Sequence, residues 1–437
     1  MYLNVLMFIF IFISFLNKTK SVIVFNFEKK FNLANINESM LYDYFYNNDF
    51  ISYISIGTPP QKVPLNINFE KHSFFILEKE KSGIYNKNLS SSYKLINKIK
   101  KRVFSEYYSE GLESNETIIL KNDNDKEIKI EESSFMIPIK EEKPNLKIPY
   151  GGIGLNFKSH VDIKYENFVY QMKDRNIINS YAFFLTFNEK SNSEGKLYIG
   201  SYPHQFNTKK YKENDFLYMS ASYNNIGNPV FQVNFENYEI FGNKYKMKSI
   251  DFNASFSGIL GNRSFKKIIE QYFFKDLYEH NICKEVIINK AYTFIVCNEK
   301  CNVEKFGNFS FYSKQLNYSF VLSYNDLFKK EGDKYYFLIV FDTVFYEDFK
   351  MGEPFLRKYF IIFDQDRKII GFYNINKNDD KKNTFVYIII FILIGVCIIL
   401  SAFLTKYVLY KPRKIRANEL EDNYDYLPEN PENYNIN

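Results

Sequence analysis

Asp49-Phe-Ile-Ser-Tyr-Ile-Ser-Ile-Gly-Thr-Pro-Pro-Gln61 is a run of alternating apolar and polar residues that ends in a Gly-Thr-Pro-Pro break. Successive side chains on a strand point to opposite faces, so this pattern predicts a half-buried strand followed by a turn. Outward from it the chain repeats the theme. Short runs rich in Ile, Val, Phe and Tyr alternate with polar positions and are punctuated by Asn, Gly and Ser, the signature of many strands in one large β domain. Only two stretches before the C-terminal region carry a helical pattern, Phe168 to Ile178 and Phe265 to Leu277. The expected fold class is all-β.

The two ends of the 437-residue chain are of a different kind. The apolar run Val5 to Leu16 is followed by the polar Asn-Lys-Thr-Lys-Ser21, which predicts a signal peptide over 1–21 rather than a membrane span. Phe385 to Leu404 is uncharged and apolar, with Lys406, Lys411, Arg413, Lys414 and Arg416 beyond it. That predicts a transmembrane helix over 385–404 with a cytoplasmic tail over 405–437. The expected topology is a single-pass type I membrane protein of the secretory pathway, at the cell surface or in a secretory organelle membrane. The tail from Ala417 is acidic and too poor in apolar residues to fold. Within it Tyr424-Asp-Tyr-Leu427 fits a tyrosine-based signal for a sorting adaptor.

Phe 46 and Tyr 37 supply 19% aromatics without any Trp, enough for a large core. The net charge of +6 comes from 57 basic and 51 acidic residues that are spread rather than striped, so no nucleic-acid partner is expected. With Cys397 in the apolar C-terminal run, Cys283, Cys297 and Cys301 are left for the secreted portion. Oxidation is expected there, and an odd number leaves one thiol over or pairs it between chains. The expectation is Cys283 bonded to either Cys297 or Cys301. No metal-ligand spacing stands out among the Cys and His residues, and no cofactor is expected.

The Asp49 to Gln61 stretch resembles the opening strand and turn of pepsin-like aspartic proteases, and further landmarks follow in that family's order. Asn88-Leu-Ser-Ser-Ser-Tyr93 resembles its Ser-Ser-Ser/Thr-Tyr loop. Phe104-Ser-Glu-Tyr-Tyr-Ser-Glu-Gly111 resembles the flap hairpin, with Tyr108 at the flap tyrosine and Gly111 at the turn glycine. Tyr150-Gly-Gly-Ile-Gly-Leu-Asn-Phe157 stands where the family has Asp-Gly-Ile-Leu-Gly-Leu-Gly-Phe, and Gly195-Lys-Leu-Tyr-Ile-Gly200 is similar to a later hairpin. The longest match is Met351-Gly-Glu-Pro-Phe-Leu-Arg-Lys-Tyr-Phe-Ile-Ile-Phe-Asp364 with Lys368-Ile-Ile-Gly-Phe372, which is similar in particular to the plasmepsins. The resemblance implies two β lobes around a deep cleft, an N-terminal lobe over 22–205 and a C-terminal lobe over 206–376. By position Cys297 resembles the first cysteine of the family's C-terminal-lobe disulfide, whose usual partner, expected near Tyr335 to Phe341, is missing.

Both Asp-Thr/Ser-Gly triplets that the resemblance calls for are absent. The first register delivers Asn68-Phe69-Glu70. In the second half, Ile250-Asp-Phe-Asn-Ala-Ser-Phe-Ser257 precedes the helical pattern, and counting back without gaps puts Asn253 on the aspartate position. Asp251 reaches it only with two inserted residues. A dyad works because two carboxylates about 3 Å apart share a proton, one acting as general base toward water. An amide neither gains nor loses a proton near neutrality and offers hydrogen bonds only.

No catalytic residues are therefore expected. The leading reading is a membrane-anchored pseudoprotease that binds a peptide or protein in a cleft lined by Tyr108, Gly111 and Ser257. The alternative is an active endopeptidase with a non-standard dyad from the fallback acids Asp251 and Glu70. The few residues between Val22 and Ile56 leave little room for a prosegment, which agrees with an enzyme that has lost its chemistry. Phe69, Phe74 and Phe75 are large enough to help block the cleft.

Overall fold

The computed structural model describes residues 21–69, 73–78, 84–101, 108–141, 150–156, 167–188, 191, 193–223, 230–342, 348–373 and 390–406. Residues 374–437 form a unit separate from 1–373. The Asp49 to Gln61 stretch folds as expected: strand Phe50–Ile56 buries alternate residues, turns at Gly57, and pairs antiparallel with strand Gln61–Asn68. Gly57 has φ 95° and its N–H reaches the Thr117 carbonyl, so the turn needs a residue that tolerates the left-handed region.

Among the described residues the strands form sheets of thirteen, nine and four. The first half supplies most of the largest sheet, but Phe216–Ser220, Ile361–Asp364 and Ile369–Tyr373 complete one side of it. The Met351 to Phe372 stretch therefore ends in the sheet that also holds the N-terminal strand Ile23–Lys29. The nine-stranded sheet and the four-stranded sheet belong wholly to the second half.

Within this framework a four-strand unit occurs twice. In the first, Gln61–Asn68 runs parallel to Gly151–Gly154, which lies antiparallel to Phe74–Phe75, itself parallel to Glu127–Glu141. In the second, Ser249–Phe252 runs parallel to Phe349–Met351, which lies antiparallel to Ile259–Gly261, itself parallel to Ile339–Asp342. Apolar side chains hold both units: Leu65, Ile67, Phe74 and Ile153 in one, Ile250, Ile259, Ile339 and Met351 in the other, all buried.

The two predicted helices are present. Phe168–Asp174 starts at Asn167, whose side chain accepts from the Val169 and Tyr170 N–H groups. Arg263–Ile269 starts at Asn262 in the same way and continues through a wider turn, Glu270–Phe274, to Lys275–Glu279. Helices Leu41–Tyr46 and Glu353–Lys358 lie outside the two stretches with a helical pattern. Phe69, Phe74 and Phe75 are buried in the first-half core, Phe69 against the rings of Phe50, Phe183 and Phe363. They pack inward rather than fill a cleft.

Residues 390–406 are helical with exposed apolar side chains such as Phe391 and Phe403. Among the described residues no helix is long and apolar enough to cross a membrane. The predicted span 385–404 is described only from 390 on, and the predicted signal peptide 1–21, except Ser21, and the Tyr424–Leu427 signal lie outside the described residues.

Candidate functional site

The duplicated unit gives each asparagine a place. Ile153 pairs with both Ile67 and Phe74, and Met351 pairs with both Phe252 and Ile259. Superposing Ile153 on Met351 therefore puts Phe252 on Ile67 and Asn253 on Asn68. The backbone bonds repeat as well. The Gly154 N–H donates to the Ser73 carbonyl at 2.9 Å, and the Gly352 N–H donates to the Gly258 carbonyl at 3.0 Å. Each asparagine stands six residues before its short strand, 74 minus 68 and 259 minus 253.

Asp251 is off this register by two residues. It pairs with Gln232 and Lys350, its side chain is 41% exposed, and its carboxylate lies 3.9 Å from the Lys350 ammonium. Glu70 lies outside the described residues.

The surroundings of the two asparagines differ. Asn68 is half-buried at the end of its strand, and its carbonyl accepts from the Leu155 N–H at 2.8 Å. Two positions earlier on the same face, the Asn66 amide donates to Asp49 Oδ1 at 2.6 Å. Burial raises the Asp49 pKa above its ordinary value, against the opposing pull of Lys30 and Asn66. Asn253 is buried at 8% exposure. Its N–H donates to the Met351 carbonyl at 2.9 Å, and its Oδ1 accepts from the Ser255 N–H at 3.0 Å, closing a local turn.

Ser257, expected in the cleft wall, is buried and engaged by the N-terminal segment. Its N–H donates to the Phe45 carbonyl at 3.1 Å and its Oγ accepts from Asn48 Nδ2 at 3.2 Å. Asn48 is itself buried and also exchanges two hydrogen bonds with the Phe31 backbone, at 2.7 and 3.0 Å. A Cβ on Gly258 would meet the Phe45 ring at 2.6 Å, which explains glycine there. One signal for Asn48 was legible, an Asn-Asn-Asp cluster just before an apolar strand.

The sequence also gave little sign of a buried charge cluster next to this unit. Lys29 ends the N-terminal strand and bonds Glu353, whose Oε1 accepts from Arg357 Nε at 2.6 Å. Glu353 directly follows Gly352, and its N–H donates to the Phe256 carbonyl at 2.9 Å. Burial alone would raise the Glu353 pKa, but the charges and hydrogen bonds of Lys29 and Arg357 outweigh it and hold the carboxyl below its ordinary value. Lys29, on the strand face that otherwise carries Ile23, Phe25 and Phe27, was the one visible hint.

Gly111, expected at a turn, lies inside strand Tyr108–Asn122, paired with Lys100 and Pro138. The strand Lys94–Lys101 leads toward Tyr108 through residues 102–107, which lie outside the described residues. Tyr108 begins its strand, paired with Glu141. Cys283 and Cys297 form the disulfide across neighbouring strands, and Cys301 is a buried free thiol. Cys397 is exposed on the 390–406 helix.

Two amides and one Asp49 carboxyl cannot reproduce a proton-sharing carboxylate pair. What they can do is orient a water or a peptide group by hydrogen bonds.

A search of curated protein sequences found no match. Among solved structures the fold is similar to conglutin gamma, a unique basic 7S globulin from lupine seeds, with a TM-score of 0.60 at 10% identity, over 82% of this chain and 95% of that one. It is also similar to the basic 7S globulin from soybean, with a TM-score of 0.57 at 11% identity, over 81% of this chain and 97% of that one. At such identities the likeness concerns the fold alone. Residues 49–375 match the model of the eukaryotic aspartyl protease family. This chain, a two-fold repeat of one strand unit with asparagine at both strand ends, belongs to the eukaryotic aspartyl protease family.

Proposed function

We propose that this protein is a catalytically inactive member of its family that binds a peptide or protein without cutting it. The observation that carries the reading is the repeated register that sets Asn68 and Asn253 at equivalent strand ends. On this reading both stand where the family's catalytic aspartates stand. An extended peptide is held by backbone hydrogen bonds and side-chain pockets, a capacity that survives loss of the water-activating acids. Asn68 is half-buried and so can meet a ligand, whereas Asn253 is buried and closes a local turn. An endopeptidase built on Asp251 finds no support, since that carboxylate is off register and beside Lys350.

The protein is anchored by 385–404 as a single-pass type I membrane protein of the secretory pathway, at the cell surface or in a secretory organelle membrane. Tyr424–Leu427 meets a sorting adaptor. The apolar run and the basic residues after it support the anchor.

The test is to incubate the detergent-solubilised full chain with a mixed library of extended peptides at pH 5 and pH 7, then to read bound and cleaved species by mass spectrometry. Binding without cleavage is expected at both values, because amides do not titrate between about pH 4 and 8. Asn68→Ala should weaken that binding. Turnover blocked by a statine-type inhibitor would overturn the proposal.

A further inference from the structure

Three sulfurs meet in the second half of the chain. Cys283 begins strand Cys283–Ile288, and its register partner Cys297 lies near the end of strand Tyr292–Asn298. Cys301 follows in the turn after that strand, where its N–H donates to the Asn298 carbonyl at 3.1 Å. The Cys283–Cys297 disulfide is formed, and Cys301 Sγ lies 3.8 Å from Cys283 Sγ. All three residues are buried, with their sulfurs within 4.8 Å of one another.

A buried cysteine is most often an inert apolar filler. Here the thiol lies beside one sulfur of an existing bond, the proximity from which thiol–disulfide exchange starts once the thiol swings into line with that bond. We propose that Cys283 is the shared partner of two alternative disulfides, Cys283–Cys297 and Cys283–Cys301, which interconvert by attack of one free sulfur on Cys283.

In the forward step Cys301, as thiolate, forms the new bond to Cys283 Sγ. The Cys283–Cys297 bond breaks, Cys297 leaves with the electron pair, and it takes up the proton that Cys301 released. Nothing is oxidised or reduced overall, so no further reagent is needed. The two bonds close loops of similar length, with sequence separations of 14 and 18. Loop closure alone therefore separates them by only about 1.5-fold. Exchange moves the tie from the strand partner to the following turn, and leaves Cys297 as the free thiol.

Cys283 also lines an open cavity of about 680 Å³ together with Tyr278 and Glu285, beside the wide helical turn Glu270–Phe274. Burial pushes the Cys301 thiol up to about 11, so few molecules carry the thiolate near neutrality and exchange is slow. Slow exchange makes both forms trappable.

The experiment uses the full chain expressed through an oxidising secretory compartment. Native protein is held at pH 8.5 for hours, quenched in acid, alkylated with N-ethylmaleimide under denaturing conditions and mapped by peptide mass spectrometry. Label is expected on Cys297 and Cys301 in complementary amounts, with peptides cross-linked through Cys283 to each. The Cys297→Ser variant should contain the Cys283–Cys301 bond and lose label at both positions. Label on Cys301 alone throughout the incubation, or a folded C297S chain with both thiols open to alkylation, would overturn the proposal. Should C297S fail to fold, the unsubstituted chain decides through its labelling pattern.

Discussion

The Asn68 and Asn253 strand ends share one register and are held by different means. Around Asn68 the support is apolar: Phe69 is buried among aromatic rings, and Ile67 and Ile153 pair inside the core. Around Asn253 the support is polar: long-range from Asn48 on Ser257 and Lys29 on Glu353, and local from the Ser255 N–H on the asparagine itself. The difference teaches where each half is vulnerable. Loss of apolar contact costs by area and can be relieved by local collapse. Loss of one partner from a buried polar set leaves a charge or donor stranded, and that cost is not relieved by small shifts.

The largest expected effect follows from the charge cluster. Glu353→Ala leaves Lys29 and Arg357 without their shared carboxylate in a buried setting, and should cost about 3–5 kcal/mol, read as a fall in the urea midpoint. A Lys29→Met, Glu353→Leu double variant should recover much of that loss. The pH dependence has a definite sign. A carboxyl whose folded pKa lies below its unfolded value adds stability that is complete above the unfolded value and fades as pH falls through the folded one. Wild type should therefore lose stability below about pH 4.5, the ordinary carboxylate value, and Glu353→Gln should flatten that part of the curve. Parallel curves for the two proteins would remove Glu353 from the account.

A smaller effect is expected from glycine. A Cβ on Gly352 would come within 2.1 Å of the Phe256 carbonyl oxygen and 2.4 Å of the Gly258 carbonyl oxygen. Those are backbone atoms and cannot swing away, so Gly352→Ala should cost about 1–3 kcal/mol or more. For Gly152→Ala, in the first unit, the nearest atoms belong to the Phe75 ring, at 2.5 Å. A ring can rotate or shift, and the cost there should be the lesser of the two in thermal unfolding.

Most of this framework was visible in the amino-acid order, because strands here are written by alternation. Ile54, Ile56, Leu65 and Ile67 are buried where the period of two puts them. The strand register that aligns Asn253 with Asn68 could likewise be read from the apolar positions Phe256, Ile259 and Leu260, all of them buried. What stayed hidden is what sequence distance hides. Lys29 and Glu353 meet across 324 positions, and Asn48 and Ser257 across 209, with no local pattern to announce either. Gly111 misled because the resemblance to the flap hairpin put it at the turn, yet here it continues a strand of fifteen residues. Glu353–Lys358 is a short helix whose start is marked only by the proline in its first turn.

Next in size is the tie between the N-terminal segment and the second unit. Asn48→Ala strands the part-buried Phe31 N–H and carbonyl and removes a donor from the buried Ser257. A loss of about 2 kcal/mol is expected, with faster hydrogen exchange at Phe31 and Ser257 than elsewhere. Uniform exchange would mean that the segment is held by its apolar residues Leu41, Tyr44 and Phe45 instead.

The smallest stability effect separates the two asparagines themselves. Asn253→Ala removes the acceptor for the Ser255 N–H and should cost about 1 kcal/mol, because the freed N–H has lost its turn partner. Asn68 is half-buried at its strand end, whereas Asn253 is buried. Asn68→Ala should therefore change the unfolding midpoint less than Asn253→Ala does. For peptide binding the order should reverse, since the half-buried amide is the one a ligand can touch. Measuring both variants in both assays sharpens the comparison: a variant pair that moves stability and binding in the same order would make the two strand ends equivalent supports, and would take Asn68 out of the binding role proposed for it.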